Sequence, residues 1–170
     1  LPPGVTARDQ GRVFTITGTP AAGAGGASSQ TYSFTYRLQT PCGTKEVTQT
    51  IKVFGASKSG TISGAPLIAA CYNDNGTVPL TGSLGTLNWQ SSTDSVTWTN
   101  VSNGNYGPLT TEKFFRVSAK NNACAASEPS VVKVAVKSLW TGKINTTWNN
   151  KYNWSDRVIP SQVILPCPTT

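Results

Sequence analysis

The residues of this chain best suited to acid–base or metal chemistry are its carboxylates: Asp9, Glu46, Asp74, Asp94, Glu112, Glu128 and Asp156. Glycoside hydrolysis needs two of them facing each other across a few ångströms. Calcium needs about six to eight oxygens, commonly from clustered acids. Here the acids stand singly along 170 residues, so neither chemistry is expected. Asp74, in YNDNG, reads as a turn residue. The chain has no His, which excludes Ser–His and Cys–His nucleophiles. Cys42, Cys71, Cys124 and Cys167 form no CxxC pair. A zinc site is therefore not expected; a disulfide framework in an oxidising compartment fits better. No enzymatic activity and no cofactor are expected of this stretch.

Binding chemistry is a different matter. Trp140, Trp148, Tyr152 and Trp154 crowd the run WTGKINTTWNNKYNW. Aromatic rings can stack on sugar CH faces, so these four are a candidate glycan platform. The plainer reading is that they are the core of a small β-module, which must bury large side chains to be stable. Trp89 and Trp98 are read as core residues, Trp98 with room to lie partly exposed at a sheet edge. The small-residue run AAGAGGASS (21–29) lacks the Lys and the helix of a phosphate loop, and reads as a flexible hairpin loop.

Composition narrows the class. Charged residues are 12%, against about a quarter in an average soluble domain; Ser, Thr, Asn and Gly fill the surface, as in extracellular β-proteins. The net charge is +7, from 14 basic and 7 acidic residues. The basic residues are scattered and no nucleic-acid motif accompanies them, so nucleic acid is not an expected partner. An anionic glycan remains compatible with the charge. No apolar run is long enough for a transmembrane helix. The first eleven residues lack the apolar region of a signal peptide.

The elements that must position these residues are strands. Val13 to Thr17 alternates. Tyr32, Phe34, Tyr36 and Leu38 share one face of a half-buried strand. It turns at Pro41-Cys42-Gly43 and returns over Glu46 to Val53, making an antiparallel hairpin. Gly55 to Ser59 reads as a linker. Beyond it, a strand starts at Thr61 and ends near Cys71. Val78 pairs in phase with Leu80, Leu87 with Trp89, and Val96 with Trp98. Phe115, Val117 and Ala119 alternate, as do Val132, Val134 and Val136. Roughly seven short strands in about 80 residues match an immunoglobulin-like sandwich. No long helical period appears. The fold class expected is all-β: tandem immunoglobulin-like β-sandwich modules, one complete (56–137) and two partial (1–55 and 138–170).

Three motifs then resemble one kind of protein. LPPGVTA…VFTITGTP…YSFTYRL…CGT…TQTIKV resembles PKD-like and Ig-like repeats of large bacterial surface proteins. GTISG…C…LNWQSSTDSVTWTNV…FFRVSAKNNAC…SVVKVAV resembles the Ig-like repeats that follow them in Bacteroidetes-type adhesins. WTGKINTTWNNKYNWSDRVIP resembles the opening of another module of the same proteins. The turn after Trp89 is shorter than in the pattern, and the loop at 21–29 is longer.

That resemblance implies export, usually by type IX secretion, and display at the cell surface, as in giant gliding-motility adhesins. The implied role is a non-catalytic stalk or adhesin segment in adhesion or gliding motility. Its partners would be neighbouring repeats of the same protein and surface polysaccharide or other surface proteins. Alternatives are a glycan-binding module of a secreted polysaccharide-active protein and a filament subunit completed by strand donation. The repeat pattern pairs Cys71 with Cys124 as a clamp at one end of the sandwich. It closes a loop of about 50 residues, worth about 4 kcal/mol in the chain-entropy model. In that pattern Cys42 would find its partner upstream, in the missing half of its own module, and Cys167 beyond Thr170; a Cys42–Cys167 bond is the competing arrangement. Asp94-Ser95-Val96 matches the O-glycosylation pattern of this group, making Ser95 a candidate. The triplets at Asn75, Asn100, Asn145 and Asn153 are not read as N-glycan sites.

Overall fold

In a computed structural model of the chain, residues 1–11, 13–137, 140, 142–147 and 149–154 are described. They are all-β: the described helical element is a single 3-10 turn at Lys151–Asn153. The chain divides into two compact units. The first holds Leu1–Lys58, Leu84–Thr86 and Lys120–Ser127; the second holds Ser59–Ser83, Leu87–Ala119 and the described residues from Glu128 onward.

The first unit is built on two antiparallel hairpins. Strand β1 (Val5–Asp9) pairs with β2 (Phe14–Gly18), and β3 (Ser29–Thr40) pairs with β4 (Gly43–Phe54) along the whole length of both strands. Tyr32, Phe34 and Tyr36 share the half-buried face of β3, as the alternation predicts; Leu38, beyond them, is exposed. Phe14 of β2 stacks on that face, 6.3 Å from Phe34 and 5.3 Å from Tyr36 between ring centroids. The opposite face carries polar cross-strand pairs: Arg37 with Glu46, and Thr35 with Thr48. Such exposed pairs contribute at most about 1 kcal/mol each.

The run 21–29 is not a loose loop. Ala24 is buried, its carbonyl accepts the Tyr32 hydroxyl, and the backbone closes Ala24 N–H to Ala21 O and Gly26 N–H to Gly23 O. Gly25 lies so close to the Phe54 and Gly55 backbone that a Cβ there would collide with it. Small residues are used here for close approach, which composition alone reads as flexibility. The stretch read as a linker is similarly tied down. Gly55 N–H donates to Ser28 O, Lys58 and Leu84 bridge reciprocally, and Ser57 Oγ donates to Ala125 O.

The second unit has a five-stranded sheet ordered β10 (Thr99–Val101), β9 (Thr86–Ser92), β12 (Lys113–Lys120), β13 (Ser130–Lys137) and β6 (Leu67–Cys71). Its remaining strands are short: β5 (Thr61–Ile62) pairs with β8 (Leu80–Thr81), and β7 (Gly76–Thr77) with β11 (Asn105–Tyr106). The single strand expected from Thr61 to Cys71 is two strands. The turn at Ser63–Pro66 separates β5 from β6, and the two join different sheets. The core lies between these layers: Ile62, Ala70, Val78, Trp89, Leu109, Phe115, Val117, Val132 and Val134, with Ile68, Leu80, Val101, Tyr106 and Val136 packed against it. Each large apolar side chain so buried contributes about 1.5–3 kcal/mol.

Candidate binding surface

Most of the described carboxylates are engaged locally, the exposed Glu128 excepted. Asp9 accepts the Gly11 N–H, Glu46 pairs with Arg37, Asp74 accepts the Asn75 N–H, and Glu112 pairs with Lys133. Asp156 lies outside the described residues. Among the described residues no group of His, Cys, Asp or Glu side chains is placed to hold a metal ion. The residues described contain no helix long and apolar enough to cross a membrane.

Asp94 organises the turn after β9. Its Oδ1 accepts the N–H groups of Thr97 (2.7 Å) and Val96 (2.8 Å) and the Ser92 hydroxyl (2.7 Å). The Thr97 N–H first, then the Ser92 hydroxyl and the Val96 N–H, hold its carboxyl well below the usual range. Ser95 donates its own N–H to Ser92 Oγ and takes φ +61°. This places Ser95 and Val96 in solvent at a loop tip. The turn also settles the two tryptophans. Trp89 is buried, 7% exposed, opposite Val101 in the register of β9 and β10. Val101 faces the core, so strand alternation turns Trp98, three positions earlier, to the outer face. Val96 is 80% exposed. The expectation that Val96 and Trp98 face the core is therefore corrected.

On the outer face, the Trp98 ring lies over the Arg116 guanidinium, 4.3 Å from its centroid. Arg116 Nε donates to Gln90 Oε1 at 2.6 Å, and Gln90 Nε2 donates to Asn100 Oδ1 at 2.8 Å. Beside them Lys133 stands 5.5 Å from the centroid of Phe114, its partner in the β12–β13 register, and pairs with Glu112 at 2.6 Å. This row escaped the sequence reading. Its only signal was that Gln90, Arg116 and Lys133 occupy outward positions of alternating strands.

In the aromatic run near residue 150 the described rings differ in exposure. Trp154 is buried and meets Trp140 edge-on at 5.2 Å and 73°. Tyr152 is 53% exposed, with Lys151 Nζ 5.3 Å from its ring centroid. Trp148 lies outside the described residues. Asn153, fully buried, holds the segment: its Oδ1 accepts the Ile144 and Asn145 N–H groups, and its Nδ2 donates to Asn145 Oδ1 and Thr147 O.

The expected Cys71–Cys124 clamp is not formed. Cys124 is a free thiol whose Sγ lies 3.5 Å from Gly55 O and 3.8 Å from Phe54 O. Cys71 is disulfide-bonded, and not to Cys124. The reason lies in the local folds. The segment carrying Cys124 turns into the first unit, whereas Cys71 ends β6 in the second, on the outward side of Ala70. Cys42, at the exposed tip between β3 and β4, is also free, so the Cys42–Cys167 alternative is not formed either; Cys167 itself lies outside the described residues. Alkylation without reductant is expected to label Cys42 in the native protein and Cys124 on unfolding. Cys71 should react only after reduction. Recovery of a Cys71–Cys124 peptide by non-reducing mass spectrometry would contradict this arrangement.

The described residues thus form an all-β, sandwich-like protein with a polar, aromatic-studded outer sheet face. Residues 58–138 match the family described as a domain of unknown function (DUF8696). None of the curated proteins compared with the chain matches it. Among solved structures, it is similar to an endo-fucoidan hydrolase from glycoside hydrolase family 107, at a TM-score of 0.29 and 16% identity, over 81% of this chain and 22% of that one. The chain therefore spans under a quarter of that structure's length, and so loose a likeness carries no argument.

Proposed function

We infer that this chain is a non-catalytic, load-bearing segment of a large secreted bacterial cell-surface protein that serves adhesion or gliding motility. The motif resemblance described above supports the setting. The bonded Cys71 suits an oxidising, extracellular location. Its partners in this reading are neighbouring repeats of the same protein and surface polysaccharide, and the loop tip at Ser95 is open to an O-linked sugar.

One observation carries the mechanical part. Strand β6, near the start of the second unit, pairs in parallel with β13, the last strand among its described residues, from Lys133↔Leu67 to Lys137↔Cys71. Tension applied at the start of β6 and the end of β13 loads all these hydrogen bonds in shear. They must yield together, whereas an antiparallel hairpin pulled from its open end unzips bond by bond. Lys133 N–H donates to Pro66 O, so the alternation of a parallel ladder directs the Ile68 and Ala70 amides onto β13. In single-molecule pulling through the chain ends, the unit is expected to resist strongly. Ala70→Pro, which removes one of those donors, should lower the unfolding force markedly. Pulling instead from the tips of β9 and β10 should need little force in either protein. Equal, low forces in both pulling directions for the unaltered chain would sink the load-bearing reading.

A further inference from the structure

We propose that the outer face of the five-stranded sheet, at Arg116, is a binding site for the carboxylate groups of an acidic, uronic-acid-containing polysaccharide. The argument begins with what an isolated surface arginine lacks. Its side chain is long and mobile, so an anion that captures it must first restrict several torsions. Arg116 is already restricted. Its Nε is spent on Gln90 Oε1, and Gln90 is itself oriented through its Nε2 on Asn100 Oδ1. Trp98 supports the guanidinium plane from one side. The edge left for a ligand is the terminal pair of nitrogens, the edge that matches the two oxygens of a carboxylate.

Among the described residues no carboxylate pairs with that guanidinium. Among the described residues the carboxylate on this face is Glu112, and it is committed to Lys133. The surroundings complement a sugar chain carrying acids at intervals. Amides at Gln90 and Asn100 offer hydrogen bonds to hydroxyls, and the aromatic rings of Trp98 and Phe114 offer apolar surface. The net charge of +7 adds a weaker, long-range attraction. A duplex nucleic acid is a poorer occupant, because its phosphates call for a line of basic residues, and this face offers Arg116 beside a Lys133 already paired. The inference is independent of the load-bearing reading: it concerns one face of one unit.

The test is affinity electrophoresis and calorimetry of the 170-residue chain with sodium alginate as a polyuronate, dextran as a neutral polymer and dextran sulfate as a sulfated one. Alginate is expected to bind and retard the protein while dextran does not. Arg116→Lys keeps the charge and loses the fork, and is expected to weaken alginate binding at least about tenfold, the scale of one lost charge-assisted pair. Gln90→Glu places a carboxylate against the guanidinium, and should abolish retardation without lowering the melting temperature, which separates loss of the site from loss of the fold. Lys45→Gln, on the other unit, should leave binding unchanged. No binding to alginate, binding to dextran sulfate alone, or equal weakening by Arg116→Lys and Lys45→Gln would each overturn the proposal.

Discussion

Trp89→Ala is expected to cost about 3–5 kcal/mol, and Trp98→Ala no more than about 1 kcal/mol. The two side chains have the same chemistry and lie nine positions apart, so the contrast isolates environment. Trp89 is 7% exposed and packs in the core with Phe115, Val117 and Val132. Its ring also closes on Gly104, where a Cβ would stand 2.8 Å from the ring. Removing it leaves a ring-sized void that a β-sandwich, held by its ladders, cannot collapse to fill. Because a domain's whole stability is only about 5–15 kcal/mol, such a loss removes a large fraction of what keeps the second unit folded. Trp98 instead lies on the outer face over Arg116, and a partly solvated cation–π contact is worth about 0.5–1 kcal/mol. Urea denaturation followed by circular dichroism measures both. Equal midpoints for the two variants would show that the inward and outward assignments are wrong.

Asn121→Asp is expected to destabilise the first unit by about 3 kcal/mol at neutral pH, and by less in acid. Asn121 is 7% exposed, and its Nδ2 donates to Gly55 O at 2.8 Å and Ser28 O at 3.2 Å. Its backbone N–H donates to Ser57 Oγ at 2.9 Å. One side chain therefore satisfies carbonyls at the start of β3 and just past the end of β4. An aspartate has no proton to offer either carbonyl, and its charge would face both oxygens. Two lost donors at about 1–3 kcal/mol each set the scale. Burial and the facing carbonyls would raise the folded pKa of the new carboxyl above its unfolded value of about 4. The folded state then binds the proton more tightly, so stability falls as pH rises through that window and returns as pH drops below the folded pKa. Urea midpoints at several pH values, with hydrogen exchange at the Gly55 amide, measure this. A pH-independent loss would point to simple steric damage.

The first of these experiments depends on a distinction that local pattern does not contain. Alternation says that Val96 and Trp98 share a strand face; it cannot say that Val96 sits in a turn at a loop tip, nor which face Trp98 takes. That was decided by the register of β10 on β9 and by the Asp94-centred turn, which delays the strand until Thr99. The cysteines show the same limit. Spacing and a repeat pattern suggest a partner for Cys71, but pairing depends on where the segment around Cys124 travels, and it travels to Gly55. The tied-down Gly55–Lys58 stretch and the packed 21–29 turn were unreadable for a related reason. Gly, Ala and Ser are chosen both for mobility and for close approach, and composition does not separate these uses.

What the sequence determined by itself was the class of the molecule and much of its core. Period-two alternation in Tyr32–Leu38, Phe115–Ala119 and Val132–Val136 requires half-buried strands, and the absence of a helical period leaves an all-β chain. Those signals are local, repeated and backed by the large free energy of burying apolar surface, so they survive without knowledge of the fold. What only the tertiary structure decided was the set of single long-range pairings. These are the split of Thr61–Cys71 between two sheets, the parallel seam of β6 with β13, the free thiol of Cys124, and the alignment of Arg116 with Gln90 and Trp98. Each depends on register between segments far apart in the chain. A shift of one residue would reverse it while leaving every local pattern unchanged.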